Sequence, residues 1–138
     1  MNRFPLLLGG SAIVLAAVAP WTVQAQSAIP PMQAQGEAKY VCGGIGSGQS
    51  SAFRGAMRDH TLSLMFVNTR GEFLAAVAVT VKNDAGTGVL SIPSSGGPIC
   101  LIDLAPGRYT VTAEPQGKAA QTRMVGVGRG SSSLEFRF

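Results

Sequence analysis

From Thr61 to its end, the chain consists of short apolar runs separated by turn residues. This repeated pattern constrains the fold more than any other feature of the sequence. Within a run every second side chain is apolar, as in Leu62, Leu64 and Phe66, which is typical of a half-buried β-strand. Clusters of Gly, Pro, Asn and Asp interrupt the runs and predict turns. Seven strands are predicted in this way, at residues 62–66, 77–81, 89–92, 99–104, 109–113, 119–127 and 133–138.

This spacing of roughly 8–12 residues predicts an all-β fold, an antiparallel seven-stranded β-sandwich. The strands do not alternate with helices, which disfavours a parallel sheet. One short helix is predicted near the start of the domain, at residues 51–59, with Ser50 or Ser51 as its N-cap. Phe53 and Met57 are four residues apart and give this helix one apolar face, which we expect to pack on the core.

The chain is predicted to divide into a signal peptide at residues 1–25, a flexible lead-in at 26–38 and one domain at 39–138. Arg3 precedes an apolar run at residues 6–18, and Val23 and Ala25 fit a cleavage site after Ala25. The alternative is a membrane anchor, but the run is shorter than the ~20 residues that a spanning helix needs. We therefore expect export to the periplasm, with secretion as a further possibility and no membrane span after cleavage.

The formal net charge is +4, and the basic residues are scattered along the chain rather than clustered with aromatic ones. This distribution argues against a nucleic-acid partner. The sequence does not define an oligomeric state.

Two cysteines, Cys42 and Cys100, are present in a chain that is expected to be exported. An even number of cysteines in an oxidising compartment predicts a disulfide, and two separate buried thiols are the alternative. His60 is the only histidine and the cysteines are far apart, so neither a metal site nor a cofactor is expected.

A glycine-rich segment at residues 43–50, Gly-Gly-Ile-Gly-Ser-Gly-Gln-Ser, nearly matches a phosphate-binding loop. Gln49 stands where that loop requires a lysine, which argues against nucleotide binding. The simplest interpretation is a tight turn that uses glycine's conformational freedom. A second interpretation is that the loop and the helix start present N–H groups to an anion or a partner backbone. The candidate binding residues are then Gly43, Gly44, Gly46, Ser47 and Gly48.

Catalytic patterns are weak. His60 is the one candidate base, Asp59 is merely its neighbour in sequence, and no Gly-x-Ser-x-Gly nucleophile motif occurs. The acidic residues are dispersed and mostly adjoin turns. We therefore expect a protein that is not an enzyme, and the alternative is a small hydrolase or a small-ligand carrier with its site near His60.

The segment Leu-Ala-Pro-Gly-Arg-Tyr-Thr-Val-Thr-Ala at residues 104–113 resembles the Pro-Gly-x-Tyr-x-Val turn and strand of carboxypeptidase regulatory-like domains. The resemblance covers residues 40–138 and implies an Ig/transthyretin-like β-sandwich in a small exported bacterial protein of a group without an assigned activity. Residues 91–97 are longer and richer in Ser and Gly than this family's pattern, and both cysteines are particular to this chain. The hydroxyisourate hydrolases with this fold use several histidines and end in Tyr-Arg-Gly-Ser, whereas this chain has one histidine and ends in Glu-Phe-Arg-Phe.

These observations lead to one hypothesis: a non-catalytic exported β-sandwich module for protein or envelope-component interaction in the bacterial periplasm. The partner, an envelope protein or polymer of unknown identity, would meet a loop end or an exposed strand edge. The candidate surfaces are residues 43–51 and 94–98.

Overall fold

A computed structural model of the chain describes residues 10, 12–17 and 29–138. The expected cleavage point after Ala25 lies outside the described residues, as does most of the expected signal peptide. Over the described ranges, no helix combines the length and the apolar character that crossing a membrane requires.

The described part of the chain forms nine strands in two sheets, with one short helix, so the expected all-β sandwich is confirmed. The first sheet has the order β1-β2-β6-β3-β9 and the second the order β5-β4-β7-β8. The strands are β1 (Gln33–Gln35), β2 (Ala38–Gly43), β3 (Leu62–Val67), β4 (Ala78–Asn83), β5 (Gly88–Ile92), β6 (Ile99–Asp103), β7 (Gly107–Glu114), β8 (Gln121–Val127) and β9 (Ser132–Arg137).

Two strands, β1 and β2, were not predicted, and the expected total of seven strands is therefore too low. β1 is three residues long and polar, so it carries no alternating signal, and it lies within the segment that was expected to be a flexible lead-in. It forms because the turn at Gly36, with φ of 56°, folds it back onto β2 in an antiparallel pair. β2 in turn pairs with β6 along five positions, a long-range contact that no local pattern reports.

One strand pair is parallel, which corrects the expectation of a wholly antiparallel sandwich. β9 runs parallel to β3 and places Leu134 beside Leu64 and Phe136 beside Phe66. These side chains are all buried. The alternation of apolar residues is the same whichever way a strand runs, so the sequence predicts the buried face but not the direction.

The helix α1 spans Ser47–Ala56 and is followed by a 3₁₀ turn at Met57–Asp59. It begins four residues earlier than predicted, and its N-cap is Gly46, without a side-chain cap, rather than Ser50 or Ser51. The reason is that Gly46 takes a φ of 83° and its carbonyl accepts the first helical hydrogen bond, from the Ser50 N–H at 2.9 Å.

The apolar residues form two clusters on opposite faces of the first sheet. The larger cluster fills the space between the two sheets. The smaller one lies under α1 and joins Phe53 to Val41, Ile99 and Leu101, with Met57 packed against it. The expected packing of Phe53 and Met57 is thus confirmed. The first four residues of β6 are all apolar and buried because the strand is covered on both faces, and the strand ends at the polar Asp103.

The expected disulfide is confirmed. Cys42 on β2 and Cys100 on β6 occupy directly opposite positions of the antiparallel pair, and their sulfur atoms are 2.07 Å apart. The bridge therefore fastens the strand that leads into the glycine-rich loop to the centre of the first sheet.

Candidate functional site

The glycine-rich loop connects β2 to α1, and its first N–H groups point at a single acceptor. The side-chain oxygen of Gln49 accepts hydrogen bonds from the backbone N–H groups of Gly44, at 3.0 Å, and Ile45, at 3.2 Å. In the structure, these two N–H groups therefore bond to an acceptor from the same chain. Gln49, at the position of the lysine in a phosphate-binding loop, thus stabilises the turn from within.

Gly43 and Gly44 are buried, and their lack of a side chain permits close packing. A Cβ atom on Gly43 would lie 2.7 Å from the ring of Phe53. A Cβ atom on Gly97 would collide with the carbonyl group of Gly43, so the two candidate loops, residues 43–51 and 94–98, touch through their backbones. Gly43 therefore has a structural role in joining these loops.

The other three candidate residues, Gly46, Ser47 and Gly48, lie exposed at the start of α1. A Cβ atom on Gly46 or Gly48 would meet no atom within 4 Å, so neither glycine is required by close packing. Gly46 is required instead by its positive φ.

A small apolar groove lies between these loops. Its volume is about 250 Å³, and its lining residues are Gly44, Ile45, Gly46, Phe73, Ala75 and Pro98. We refer to it as the glycine-loop groove. Its two large apolar side chains are unusually accessible, since Ile45 is 62% exposed and Phe73 is 44% exposed. Over residues 29–138, the one other large hydrophobic side chain with comparable exposure is Met124.

Arg54 of α1 contributes a positive charge beside this groove. Its guanidinium carbon lies 5.0 Å from the centre of the Phe73 ring, which is within the range of a cation–π contact. The contact holds the ring against the end of α1 and leaves part of the ring open to solvent. The surface thus combines apolar side chains with a cation.

Phe73 was missed by the sequence analysis because it lies in an irregular connection. Asn68 organises this connection, since its side-chain oxygen accepts from the backbone N–H groups of Arg70 and Glu72, each at 2.9 Å. Phe73 then forms an isolated bridge with Val67 at the end of β3. The signal that could have identified Phe73 is that it is a single aromatic residue after a turn, outside any alternating run.

The opposite wall of the groove is anchored through Ser95, which is buried. The Ser95 backbone N–H donates to the carbonyl of Val77 at 2.8 Å, and the Ser95 carbonyl accepts from the N–H of Ala76 at 3.0 Å. The Ser95 hydroxyl also accepts from the N–H of Val77, at 3.0 Å. Ala76 has a φ of 59°, the one positive φ of a non-glycine residue over the described ranges. The Ser95 bonds hold it in this strained conformation, next to Ala75 in the groove.

His60 has an orienting carboxylate, but it is not the one adjacent in sequence. Its Nδ1 atom lies 3.1 Å from both carboxylate oxygens of Asp103, which is at the end of β6. Asp103 also accepts from the N–H of Thr61 at 3.3 Å. Local sequence gave no signal for this pair because the two residues are 43 positions apart.

The His60–Asp103 pair fastens the 3₁₀ turn to the first sheet. Among the hydrogen bonds of the described residues, none involves the other ring nitrogen of His60 and a hydroxyl or thiol. Neither residue lines the glycine-loop groove. Over the same ranges, no group of three or more His, Cys, Asp or Glu side chains is placed to hold a metal ion.

No protein-family model matches the sequence, and no curated protein shows significant similarity to it.

Proposed function

We propose that this protein is a non-catalytic module that binds an envelope protein through the glycine-loop groove. The observation that carries the proposal is the pairing of Ile45 and Phe73, two exposed apolar side chains on the two walls of one groove. Burying such side chains against a partner releases about 25 cal/mol per Å² of apolar surface. The groove is smaller than the roughly 300–1,000 Å³ of typical small-molecule sites, which favours a single apolar side chain of a partner as its occupant.

The proposal includes an exported, periplasmic location and a cleaved signal peptide at residues 1–25. A disulfide between Cys42 and Cys100 is compatible with export, because disulfides persist in oxidising compartments. We also propose that the sandwich is of the transthyretin-like, carboxypeptidase regulatory-like type. The turn that carries the resemblance supports this assignment, because the Tyr109 hydroxyl donates to the carbonyl of Ala105 at 2.6 Å, at the rim of the sandwich.

The test is crosslinking of a tagged copy in intact cells, followed by mass spectrometry of the proteins that co-purify. The wild type is compared with Ile45→Glu, which places a charge in the groove without touching the core. The matched control is Ala85→Glu, because Ala85 is an exposed apolar residue in the turn between β4 and β5, away from the groove. We expect one recurrent envelope protein with the wild type and the control, and its loss with Ile45→Glu. Equal recovery with the wild type and both variants would refute the role of the groove.

A small hydrolase centred on His60 is the second candidate function, because Asp103 holds the imidazole as an orienting carboxylate does in a catalytic dyad. The measurement is turnover of p-nitrophenyl acetate by the wild type, His60→Gln and Asp103→Asn. A hydrolase requires that His60→Gln abolish turnover while the thermal midpoint is preserved. Turnover at the rate of the buffer in all three proteins would exclude hydrolysis of this ester class.

The other alternative is a carrier of a small ligand, and a second cavity near His60 and Asp103 is large enough for one. A cleft of about 550 Å³ lies between the β1–β2 turn and β5, and Leu104, beside Asp103, is part of its wall. This volume falls within the range of small-molecule sites. Retention of a low-molecular-weight compound through purification, detected by native mass spectrometry, would favour the carrier function over the module.

A further inference from the structure

The two sheets have four edge strands, and side chains from the facing sheet bond to part of the backbone of two of them. At β5, the backbone N–H and carbonyl of Ser91 bond to the side-chain amide of Gln35, at 2.9 and 2.7 Å. At β9, the carbonyl of Glu135 accepts from Arg123 at 2.9 Å, and that of Arg137 accepts from Gln121 at 2.7 Å. The third edge, β1, is only three residues long. Two of these edges are thus partly occupied by side chains and the third is short, so each is a poorer template for an added strand than a free edge.

The fourth edge, β8, is different. Its seven residues pair with β7 in one continuous register without a bulge. The Gly126 carbonyl accepts from the Ser132 hydroxyl at 2.8 Å, outside the β7–β8 ladder. Because backbone groups of alternate residues point to the same side of a strand, those of Thr122 and Met124 also face away from β7. In the described part of the chain, no hydrogen bond occupies these N–H and carbonyl groups.

β8 has few of the protections that are usual at a free edge. Natural sheets protect their edges with short strands, proline, bulges or charged side chains, including inward-pointing ones. β8 has neither a proline nor a bulge, and its one charged side chain, Arg123, is bonded to β9. The outer row of β8 consists of Thr122, Met124 and Gly126, and Met124 is 68% exposed. The polar side chains of β8 that face inward, Gln121 and Arg123, bond to β9 instead. An added strand would therefore meet no charged side chain on this outer row.

The surroundings of this edge are positively charged. Arg108 lies opposite Gly126 in the β7–β8 register, Arg123 is on β8, and Arg129 follows β8 in the chain. In the described ranges, the ion pairs are His60–Asp103 and Arg137–Glu135, so no carboxylate neutralises these three arginines at ion-pair distance. An acidic segment is complementary to this edge, whereas a basic one would be repelled.

We propose that β8 accepts an extended acidic peptide segment of a partner protein as an additional strand of the second sheet. Backbone hydrogen bonds to Thr122 and Met124 supply the pairing, and the exposed Met124 side chain contacts an apolar side chain of the segment. The arginines select for carboxylates. This site lies on the second sheet, whereas the glycine-loop groove lies at α1 and the first sheet, so the two are independent.

The test uses a synthetic peptide of alternating Glu and Val, of the same length as β8, and a control peptide with Lys in place of Glu. Binding is followed by NMR titration of the full chain, together with amide hydrogen exchange. We expect the Glu peptide to bind and to slow exchange of the Thr122 and Met124 amides by about tenfold or more. The Lys peptide should not bind, and high salt should weaken the Glu peptide because exposed charges are screened.

Two variants make the test decisive. Met124→Pro removes an outward N–H that is not part of the β7 ladder, so we expect the fold to persist and binding to be lost. The double variant Arg108→Glu with Arg129→Glu reverses the local charge and should exchange the preference for the two peptides, even if the proline variant misfolds. Ile45→Glu, which disables the glycine-loop groove, should leave peptide binding intact.

The proposal is overturned if the Glu peptide fails to bind, or if the Lys peptide binds equally well. It is also overturned if Met124→Pro folds and binds as the wild type does. One further outcome also overturns it. If the Thr122 and Met124 amides become more protected from hydrogen exchange as the protein concentration rises, without any peptide, the edge pairs with a second copy of this chain instead.

Discussion

Removing the Phe53 side chain should lower the free energy of opening helix α1 away from the first sheet. Phe53 is the one buried residue of α1, and its ring sits among Val41, Ile99 and Leu101 with no exposure. The helix has ten residues, which is below the ~12–15 at which isolated helices become even marginally stable. The variant Phe53→Ala therefore tests whether one side chain holds the outer wall of the glycine-loop groove.

The expected loss of stability follows from the removal of one buried ring from a helix with little stability of its own. Replacing a buried phenylalanine by alanine costs about 3–5 kcal/mol. The helix cannot compensate, because Gly48 and Gly55 in its sequence each disfavour helix by about 1 kcal/mol relative to alanine, and its N-cap has no side-chain hydrogen bond. We therefore expect the free energy of opening α1 to fall by about 3 kcal/mol, which is a roughly hundredfold increase in its amide exchange rate.

The assay is native-state hydrogen exchange by NMR, comparing amides of α1 with those of β4 and β7 in the same sample. The matched control is Phe73→Ala, the same chemical change at a side chain that is 44% exposed, which should alter α1 protection far less. If α1 amides keep their protection in Phe53→Ala, the helix is held by something other than this ring. If the sheets lose protection in parallel, α1 is not a separately attached element.

Three further predictions concern the scaffold of the site. Replacing Cys42 and Cys100 by serine should lower the free energy of unfolding by about 4 kcal/mol, from the chain entropy of a closed loop with a sequence separation of 58, as measured by urea titration. Gly97→Ala should cost about 3 kcal/mol or prevent folding, because its Cβ would overlap a backbone carbonyl, whereas Gly88→Ala, with open space at its Cβ, should change stability by no more than about 1 kcal/mol. Ala76→Gly should raise the thermal midpoint slightly, because relief of a left-handed conformation worth about 1–2 kcal/mol exceeds the added entropy of the unfolded chain, and a lower midpoint would contradict that reasoning.

The parts of the fold that the sequence predicted are those encoded by local alternation. β3 was predicted from alternating apolar side chains with a turn after it, and the structure places it at Leu62–Val67. β1 was missed because it is polar and owes its existence to the hairpin with β2. The parallel direction of β9 and the start of α1 were also missed, since one depends on a long connection and the other on the φ of Gly46.

The residues of the candidate site also separate into those that local sequence predicted and those that it did not. The glycine-rich loop was found because glycines mark positions where the backbone needs unusual dihedral angles or close approach, and Gly43 and Gly46 have these roles. Phe73 and Asp103 were missed because their importance comes from neighbours that are distant in sequence, Arg54 and His60 respectively. No pattern in a short window carries that information.

The glycine-loop groove is fixed in shape by contacts that do not take part in lining it. The Cys42–Cys100 bridge holds the strand that enters the loop, and Gln49 ties the first turn of the loop to α1. On the opposite wall, the buried Ser95 binds both sides of the strained Ala76. In the proposed complex, a partner would meet walls that are already ordered, so little conformational entropy would be lost at this surface on binding. With so small a groove, the proposed binding depends on this order of the walls, which holds the two exposed side chains in one fixed arrangement.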